Sequence, residues 1–382
     1  MGYELDWRER PMLSPLGGFL IQSRAGKSGN FEVVIAWPSG GLAHFWREND
    51  HSAFRWHGPT FFGRGDYVGA TVIESDFRAF SGRLGNLEVL ATRSDGTVDH
   101  YWRENGGQYV WNGPYRVFDG AGGNPSMAYT GAVNLGGTQH GGSSFYAVAP
   151  NRYAGFAYWQ RRNSETGRIE WLDLGGTGSV KLDGIGFVMT TIGAASASAG
   201  YKYTGPGGNH IVAGVASHLG WLCLYVNGVD SASVKLRGWI DQTVIGRDIF
   251  PEVAGEFVGR PCLIQGDYGY REPSNRPFDY GHYGNLELVV PSNRGGILHF
   301  WRDCGAPYYI PKPIHEKWSG PVRIPGDRYD EVSLIQSNFS STNHGNLEMI
   351  ARQRNQHGFD FFWRDEKMTW HGPNRIQGPG KP

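Results

Sequence analysis

The chain has 382 residues, with 36 Lys and Arg against 36 Asp and Glu, so its formal net charge is zero. That balance excludes a protein held to nucleic acid or to an anionic membrane by charge, and the length excludes a small scaffold that needs staples. Gly (58) and Pro (21) make up about a fifth of the residues, above the usual ~12%, while aromatics reach 14% and charged residues only 19%. This is the reverse of a disordered composition and favours a globular all-β protein with many tight turns.

The N-terminal stretch, MGYELDWRERPMLSPLGG, has acidic residues and no apolar h-region, and no later stretch approaches 18 apolar residues. The expectation is a soluble, cytoplasmic protein. Cys223, Cys262 and Cys304 lie far apart without CxxC or His-rich spacing, so neither a disulfide framework nor a zinc site is indicated.

Repeats organise everything that follows. The first unit carries Gly29-Asn-Phe-Glu32, then Phe45-Trp-Arg47, then Trp56-His-Gly-Pro59. The second repeats the signature at Gly85, Tyr101-Trp-Arg103 and Trp111, and reads as four short strands: 70–75, 87–92, 97–102 and 109–114. The third and fourth units are degenerate. Aligned on aromatics, Tyr158-Trp159-Gln160 takes the place of the triplet in the third, and Tyr225 followed by Val226 takes it in the fourth. Glu is there replaced by Tyr146 and Ile211. The fifth and sixth units restore the signature at Gly284, Phe300-Trp-Arg302 and Trp318, and at Gly345, Phe362-Trp-Arg364 and Trp370. The central aromatic then falls at 46, 102, 159, 225, 301 and 363, and the chain closes on six units.

Four-stranded units of this size predict an all-β fold, a six-bladed β-propeller of four-stranded blades, with residues 1–382 forming one domain. Ring closure is expected to join the C-terminal strand at Trp370-His-Gly-Pro373 to the first blade. Recurrent Trp residues are expected to fill the wedges between blades. The repeated Glu32, Glu88, Glu287 and Glu348 and Arg47, Arg103, Arg302 and Arg364 are expected to form inter-strand or inter-blade ion pairs. His44, His100 and His299 precede three of the triplets and are read as hydrogen-bonded structure rather than as metal ligands.

The unit Gly-Asn-Leu-Glu, His-Phe/Tyr-Trp-Arg, Trp-x-Gly-Pro resembles the repeat of the Photorhabdus-type fucose-binding lectin propellers, over nearly the whole chain. The resemblance implies binding of fucosylated or O-methylated sugars between blades. In its architecture and divergent repeats the chain also looks like fungal hetero-Diels-Alderase propellers, which join a tropolone-derived quinone methide to a humulene-type sesquiterpene without a cofactor.

A single functional site is expected where the repeat is broken. The connections 193–207 and 267–283 are long and rich in Tyr, and are read as a lid over one mouth of the propeller. Lys202, Arg271 and His282 are the candidate proton or hydrogen-bond donors, and Tyr201, Tyr203, Tyr268, Tyr270, Tyr280 and Tyr283 the candidate wall. Aligned inner strands put Gln22, Glu74, Tyr129, Thr190, Gln265 and Gln336 at one level facing the axis, with Tyr129, Thr190 and Gln265 as the pocket floor. The leading expectation is therefore a cofactor-independent small-molecule enzyme, a hetero-Diels-Alderase taking small apolar or aromatic substrates, with no metal and no cofactor. The alternatives are a lectin whose partners are glycans, and an interaction propeller without chemistry.

Overall fold

A computed structural model describes residues 18–75, 84–105, 108–130, 144–163, 169–190, 210–230, 235–268, 284–304, 318–339 and 345–379. They form six four-stranded antiparallel sheets, each a contiguous run of chain. The first blade is β1 (Leu20–Gln22), β2 (Phe31–Ala36), β3 (Leu42–Arg47) and β4 (Trp56–Phe62); the second is β5 (Tyr67–Glu74), β6 (Leu87–Arg93), β7 (Val98–Arg103) and β8 (Trp111–Phe118). The third is β9 (Ser126–Thr130), β10 (Ser144–Pro150), β11 (Phe156–Asn163) and β12 (Ile169–Thr177); the fourth is β13 (Gly184–Met189), β14 (His210–Ala216), β15 (Trp221–Asp230) and β16 (Lys235–Ile245). The fifth is β17 (Cys262–Gln265), β18 (Leu286–Pro291), β19 (Ile297–Arg302) and β20 (Trp318–Ile324); the sixth is β21 (Glu331–Gln336), β22 (Leu347–Arg352), β23 (Gly358–Arg364) and β24 (Trp370–Gln377). The first strand of each blade touches its counterparts in the two neighbouring blades, which closes a ring of six. Helix is limited to one short 3-10 turn at Pro251–Val253 among the described residues, and none there is long and apolar enough to cross a membrane.

Both faces of the second and third strands are buried because each blade is covered by a blade on either side. The apolar core accordingly divides into six clusters, one per seam. Ile21, Val34 and Leu42 of the first blade meet Val72, Val89 and Tyr101 of the second, and each later seam repeats the arrangement.

The glycine of Gly-Asn-x-Glu is dictated by backbone crowding. A Cβ on Gly85 would lie 1.6 Å from the Ser75 carbonyl oxygen, and one on Gly345 1.4 Å from that of Ser337. The following Asn accepts from the residue just after the inner strand, as in Ser75 N–H to Asn86 O at 2.8 Å and Ser337 N–H to Asn346 O at 2.8 Å. These two contacts fix where the second strand starts, and so fix the level of the Glu that follows.

Ring closure differs from the expectation. β24 pairs with β23 inside its own blade, and among the described residues no strand passes from the C-terminal end into the first sheet. The seam is closed by side-to-side packing instead. The Ser333 hydroxyl accepts from the N–H groups of Phe19 and Leu20 at 3.1 Å each, Arg352 donates to the Ala36 carbonyl, and Trp37 meets His357 edge-on at 4.9 Å. A largely apolar wedge and these few hydrogen bonds satisfy the seam without strand exchange.

One end of the axis is plugged. Arg260, fully buried, leaves the fifth blade and donates to the carbonyls of Ala70 and Pro125 in the second and third, at 2.7 and 2.8 Å. Asn124 of the third blade donates to Glu331 of the sixth at 2.6 Å. Three residues of the level expected to face the axis are engaged between blades: Gln22 bonds Asn338, Glu74 accepts from the Arg24 N–H at 2.7 Å, and Gln336 accepts from the Asp267 N–H at 2.6 Å. Each of these three residues thus clasps the residue two positions beyond its counterpart in the preceding blade.

Candidate functional site

The β-ladders show which residues are equivalent across blades, and they correct the aromatic alignment. Glu32 pairs with Trp46, Glu88 with Trp102, Glu287 with Trp301 and Glu348 with Trp363. In the third blade Tyr146, at the Glu position, pairs with Gln160, and in the fourth Ile211 pairs with Val226. Trp159 and Tyr225 therefore stand where Phe45 and Tyr101 stand, one residue from the expected position. Because successive side chains in a strand point to opposite faces, this slip moves them to the other side of the blade. Gln160 does not replace the arginine: Arg161 does its work, while the fourth blade has Asn227 there. On the inner strands the same logic makes Met189, paired with His210, the counterpart of Gln336 paired with Leu347, so Thr190 lies one residue past the expected level.

With this register each seam brings together the same positions. The earlier blade contributes the acid, the residue at the His44 position and the triplet Trp; the later blade contributes the arginine and the Trp opposite it on the outermost strand. That outer Trp is present six times, as Arg47↔Trp56, Arg103↔Trp111, Arg161↔Trp171, Asn227↔Trp239, Arg302↔Trp318 and Arg364↔Trp370. Trp171 and Trp239 escaped the sequence reading because the Gly-Pro that follows the other four is missing. These outer indoles are the wedge fillers: Trp111 stacks on Phe62 of the first blade at 4.0 Å, and Trp318 is buried in the apolar seam before it. The triplet Trp residues are only partly buried and stack within their own blade, Trp46 on His57 at 5.3 Å and Trp363 on His371 at 4.9 Å.

Three seams share one polar constellation. His44, His100 and His299 each place Nε2 2.7 Å from Oε2 of Glu32, Glu88 and Glu287, with both partners buried. The arginine of the next blade approaches the same carboxylate: Arg103 at 3.9 Å from Glu32, Arg161 at 3.3 Å from Glu88 and Arg364 at 3.6 Å from Glu287. In these three seams the acid and the arginine are thus an ion pair between blades, as expected for Glu32, Glu88, Glu287, Arg103 and Arg364. Burial lowers the pKa of His44 and His100 despite the carboxylates, so the neutral imidazoles donate from Nε2. Arg103 then donates to Nδ1 of His44 at 3.3 Å. Burial alone would raise Glu88, but its bonds to His100 and Arg161 outweigh that and lower it. The indoles of Trp111, Trp171 and Trp370 stand edge-on to the three histidines at 5.6, 6.3 and 5.5 Å.

The remaining three seams depart from this set. Between the sixth and first blades Glu348 and Arg47 are present, but Phe361 replaces the histidine. Between the third and fourth, Tyr146 and Tyr158 take the acid and histidine positions, and the Tyr158 hydroxyl donates to His210 at 2.6 Å. Burial pushes His210 down to a pKa of about 3, which keeps it a neutral acceptor. Between the fourth and fifth, Ile211, Leu224, Val226, Cys304 and Trp318 fill the space with apolar atoms.

Of the residues expected at the mouth, Lys202, Arg271, His282, Tyr201, Tyr203, Tyr270, Tyr280 and Tyr283 lie outside the described residues. For Tyr129 only the strand position in β9 is described. Thr190 and Gln265 are buried. Tyr268 belongs to the seam between the fifth and sixth blades: its hydroxyl donates to the Gly345 carbonyl at 3.0 Å and its ring lies 4.8 Å from the Arg364 guanidinium carbon.

No protein-family model matches the chain, and no curated protein does. Solved structures do. A mutant of the Aleuria aurantia lectin in complex with Fucα1-6GlcNAc matches with a TM-score of 0.56 at 11% identity, over 96% of each chain. The SapL1 lectin in complex with alpha methyl fucoside matches with a TM-score of 0.52 at 15% identity, over 96% of this chain and 97% of that one. AofleA from Arthrobotrys oligospora matches with a TM-score of 0.51 at 13% identity, over 100% and 89%. At such identities the likeness is one of fold: this chain is a six-bladed β-propeller of the architecture seen in fungal fucose-binding lectins.

Proposed function

We propose that this protein is a carbohydrate-binding propeller that takes sugar residues in the crevices between neighbouring blades. The observation that carries the reading is the contrast among seams. The seam between the fourth and fifth blades is filled with Ile211, Leu224 and Val226, so apolar packing alone suffices to hold two blades together here. A buried ion pair is no more stabilising than such filling, because the desolvation of both charges offsets their attraction. Four seams nevertheless keep a carboxylate, a guanidinium and two indoles together, which argues that the set is retained for recognition.

The chemistry suits a saccharide. Sugar hydroxyls both donate and accept, so they can meet a guanidinium, a carboxylate and an imidazole at once, while the C–H face of the ring lies on an indole. Trp46, Trp102, Trp301 and Trp363 are partly exposed beside these groups, and Trp370 Nε1, His299 Nδ1 and Arg364 Nε are buried without a partner among the described residues. The fucosides bound by the structural neighbours make α-fucosides the first ligands to try. The finer alternative, a cofactor-independent enzyme at the mouth, places its donors in the loops instead.

One experiment separates the two. Glycan-array binding and calorimetry with methyl α-fucoside are run on the wild type, on an Arg103→Ala/Arg364→Ala variant and on an Arg271→Ala/His282→Ala variant. Crevice binding predicts that the first variant loses the two crevices that Arg103 and Arg364 enter, about half of the calorimetric stoichiometry, and that the second variant keeps all four. Retention in the first with loss in the second would overturn the reading.

A further inference from the structure

Glu348 differs from the other three acids of the repeat in what its second oxygen meets. Its Oε1 accepts from the Ser337 hydroxyl at 3.1 Å, as Glu32 and Glu88 accept from Ser23 and Ser75. The other oxygen of those acids is held by a histidine, but Phe361 occupies that position in β23, opposite Ile350 as His44 is opposite Val34. Among the described residues this oxygen of Glu348 has no hydrogen-bond partner. Arg47 from the first blade acts on Glu348 through its charge but closes no ion pair with it, and bonds Asn49 through Nε at 2.7 Å instead. Aromatic rings surround the guanidinium: its carbon lies 3.9 Å from the Phe31 ring centre, 5.1 Å from those of Phe54 and Phe361, and 5.4 Å from that of Phe339.

A buried acid and a buried guanidinium that face each other without joining call for a group that can bridge them. Two adjacent hydroxyls do this, one donating to the carboxylate and one accepting from the guanidinium, and the aromatic wall suits the C–H face of the same ring. Phe54, 44% exposed, keeps one side of that wall open to solvent. We propose that the crevice between the sixth and first blades is a second class of sugar site, in which adjacent hydroxyls of one sugar residue bridge Glu348 and Arg47, and that Phe361 in place of histidine is what leaves the second Glu348 oxygen available to the sugar. This inference rests on the crevice-binding reading given above.

The site is also built to respond to pH. Burial raises the Glu348 carboxyl to a pKa of about 7, against the opposing pull of Arg47 and the Ser337 hydroxyl. Arg47 on β3 is the charged group facing it; β2, β4 and β23 present Phe31, Trp56 and Phe361, and His371 on β24 is bonded to Asp365 and stacked on Trp363. An ionised carboxylate accepts more strongly than a neutral one, so sugar binding here strengthens as pH rises through 7.

The test is calorimetric titration of the full chain with methyl α-fucoside at pH 5.5 and 8.5, on the wild type, Phe361→His and Glu348→Gln, with a thermal melt of each. The expected wild-type result is a class of sites whose Kd falls about tenfold between the two pH values, as the carboxyl goes from mostly neutral to mostly ionised. Phe361→His restores the histidine lock found in three other blades, and both variants lose the pH-dependent component while remaining folded. Equal wild-type affinity at both pH values, or a pH-dependent component that survives in Phe361→His and Glu348→Gln, overturns the second class of site and leaves crevice binding standing. Absence of sugar binding by the wild type at both pH values overturns both.

Discussion

The guanidinium of Arg161 lies 3.3 Å from the Glu88 carboxylate across the seam between the second and third blades, both nearly fully buried. Glu88 also holds His100, so one carboxylate organises two blades. Arg161→Ala leaves that buried carboxylate without its cation, and the expected loss is about 3–5 kcal/mol of stability. Denaturant midpoints of wild type and variant check it. The smaller cost of a surface pair, about 0–1 kcal/mol, would show that the seam opens to solvent.

Packing makes a separate demand on the two Trp positions of one blade. Trp318 is buried in the seam between the fourth and fifth blades, whereas Trp301 is partly exposed and has His299 as its ring neighbour. Trp318→Ala is expected to cost about 3–5 kcal/mol through the cavity it leaves, and Trp301→Ala about 1 kcal/mol. Equal losses in paired melts would contradict this division between wedge filler and crevice wall.

The six-bladed ring was legible because its rules are local. A glycine is needed where a carbonyl comes within 1.6 Å of a would-be Cβ, and the acid follows at fixed spacing. The arginine of the third blade was not legible, because Trp159 sits at the Phe45 position and draws an alignment made on aromatics one residue off. In the fourth blade Val212 pairs with Tyr225 where Leu288 pairs with Phe300, so the hairpin between is one residue longer and produces the same slip. Only the ladder reveals which face such residues take. The His–Glu bonds escaped for a simpler cause: the partners are twelve residues apart in sequence and meet only through the pairing of the second and third strands.

Glu348 and Glu74 predict how stability changes with pH. Burial raises both carboxyls to about 7, above the ordinary 4.5. The native state therefore binds more protons than the unfolded chain between those values, so these groups favour folding at low pH and lose that contribution as pH rises through 7. His210, lowered to about 3, acts in the opposite sense, its contribution being present above 6.5 and lost as pH falls. The wild-type profile mixes the two, and Glu348→Gln isolates one of them. The variant should match the wild type near pH 4.5 and gain stability over it as pH rises to 8, read from denaturant melts across that range. A gain that does not change with pH would mean that the acid is ionised throughout.

Valency provides the last prediction. Four crevices keep the acid and the arginine and two do not, so a surface dense in sugar ligand can engage several crevices of one molecule at once. Each further contact is then intramolecular, governed by a local concentration far above that of free ligand. Arg364→Ala removes the cation from one crevice and touches the others only through the fold. Affinity for free methyl α-fucoside at the remaining sites should be unchanged by calorimetry, while retention on a fucoside-coated surface should drop by about tenfold or more, since avidity multiplies contacts rather than adding them. Arg302→Ala supplies the control, because the crevice that Arg302 enters faces Ile211, Leu224 and Val226. It should leave surface retention as it was. Equal losses from Arg302→Ala and Arg364→Ala would show that the arginines act on retention through stability alone, and the recognition role of the polar seams would fall with that result.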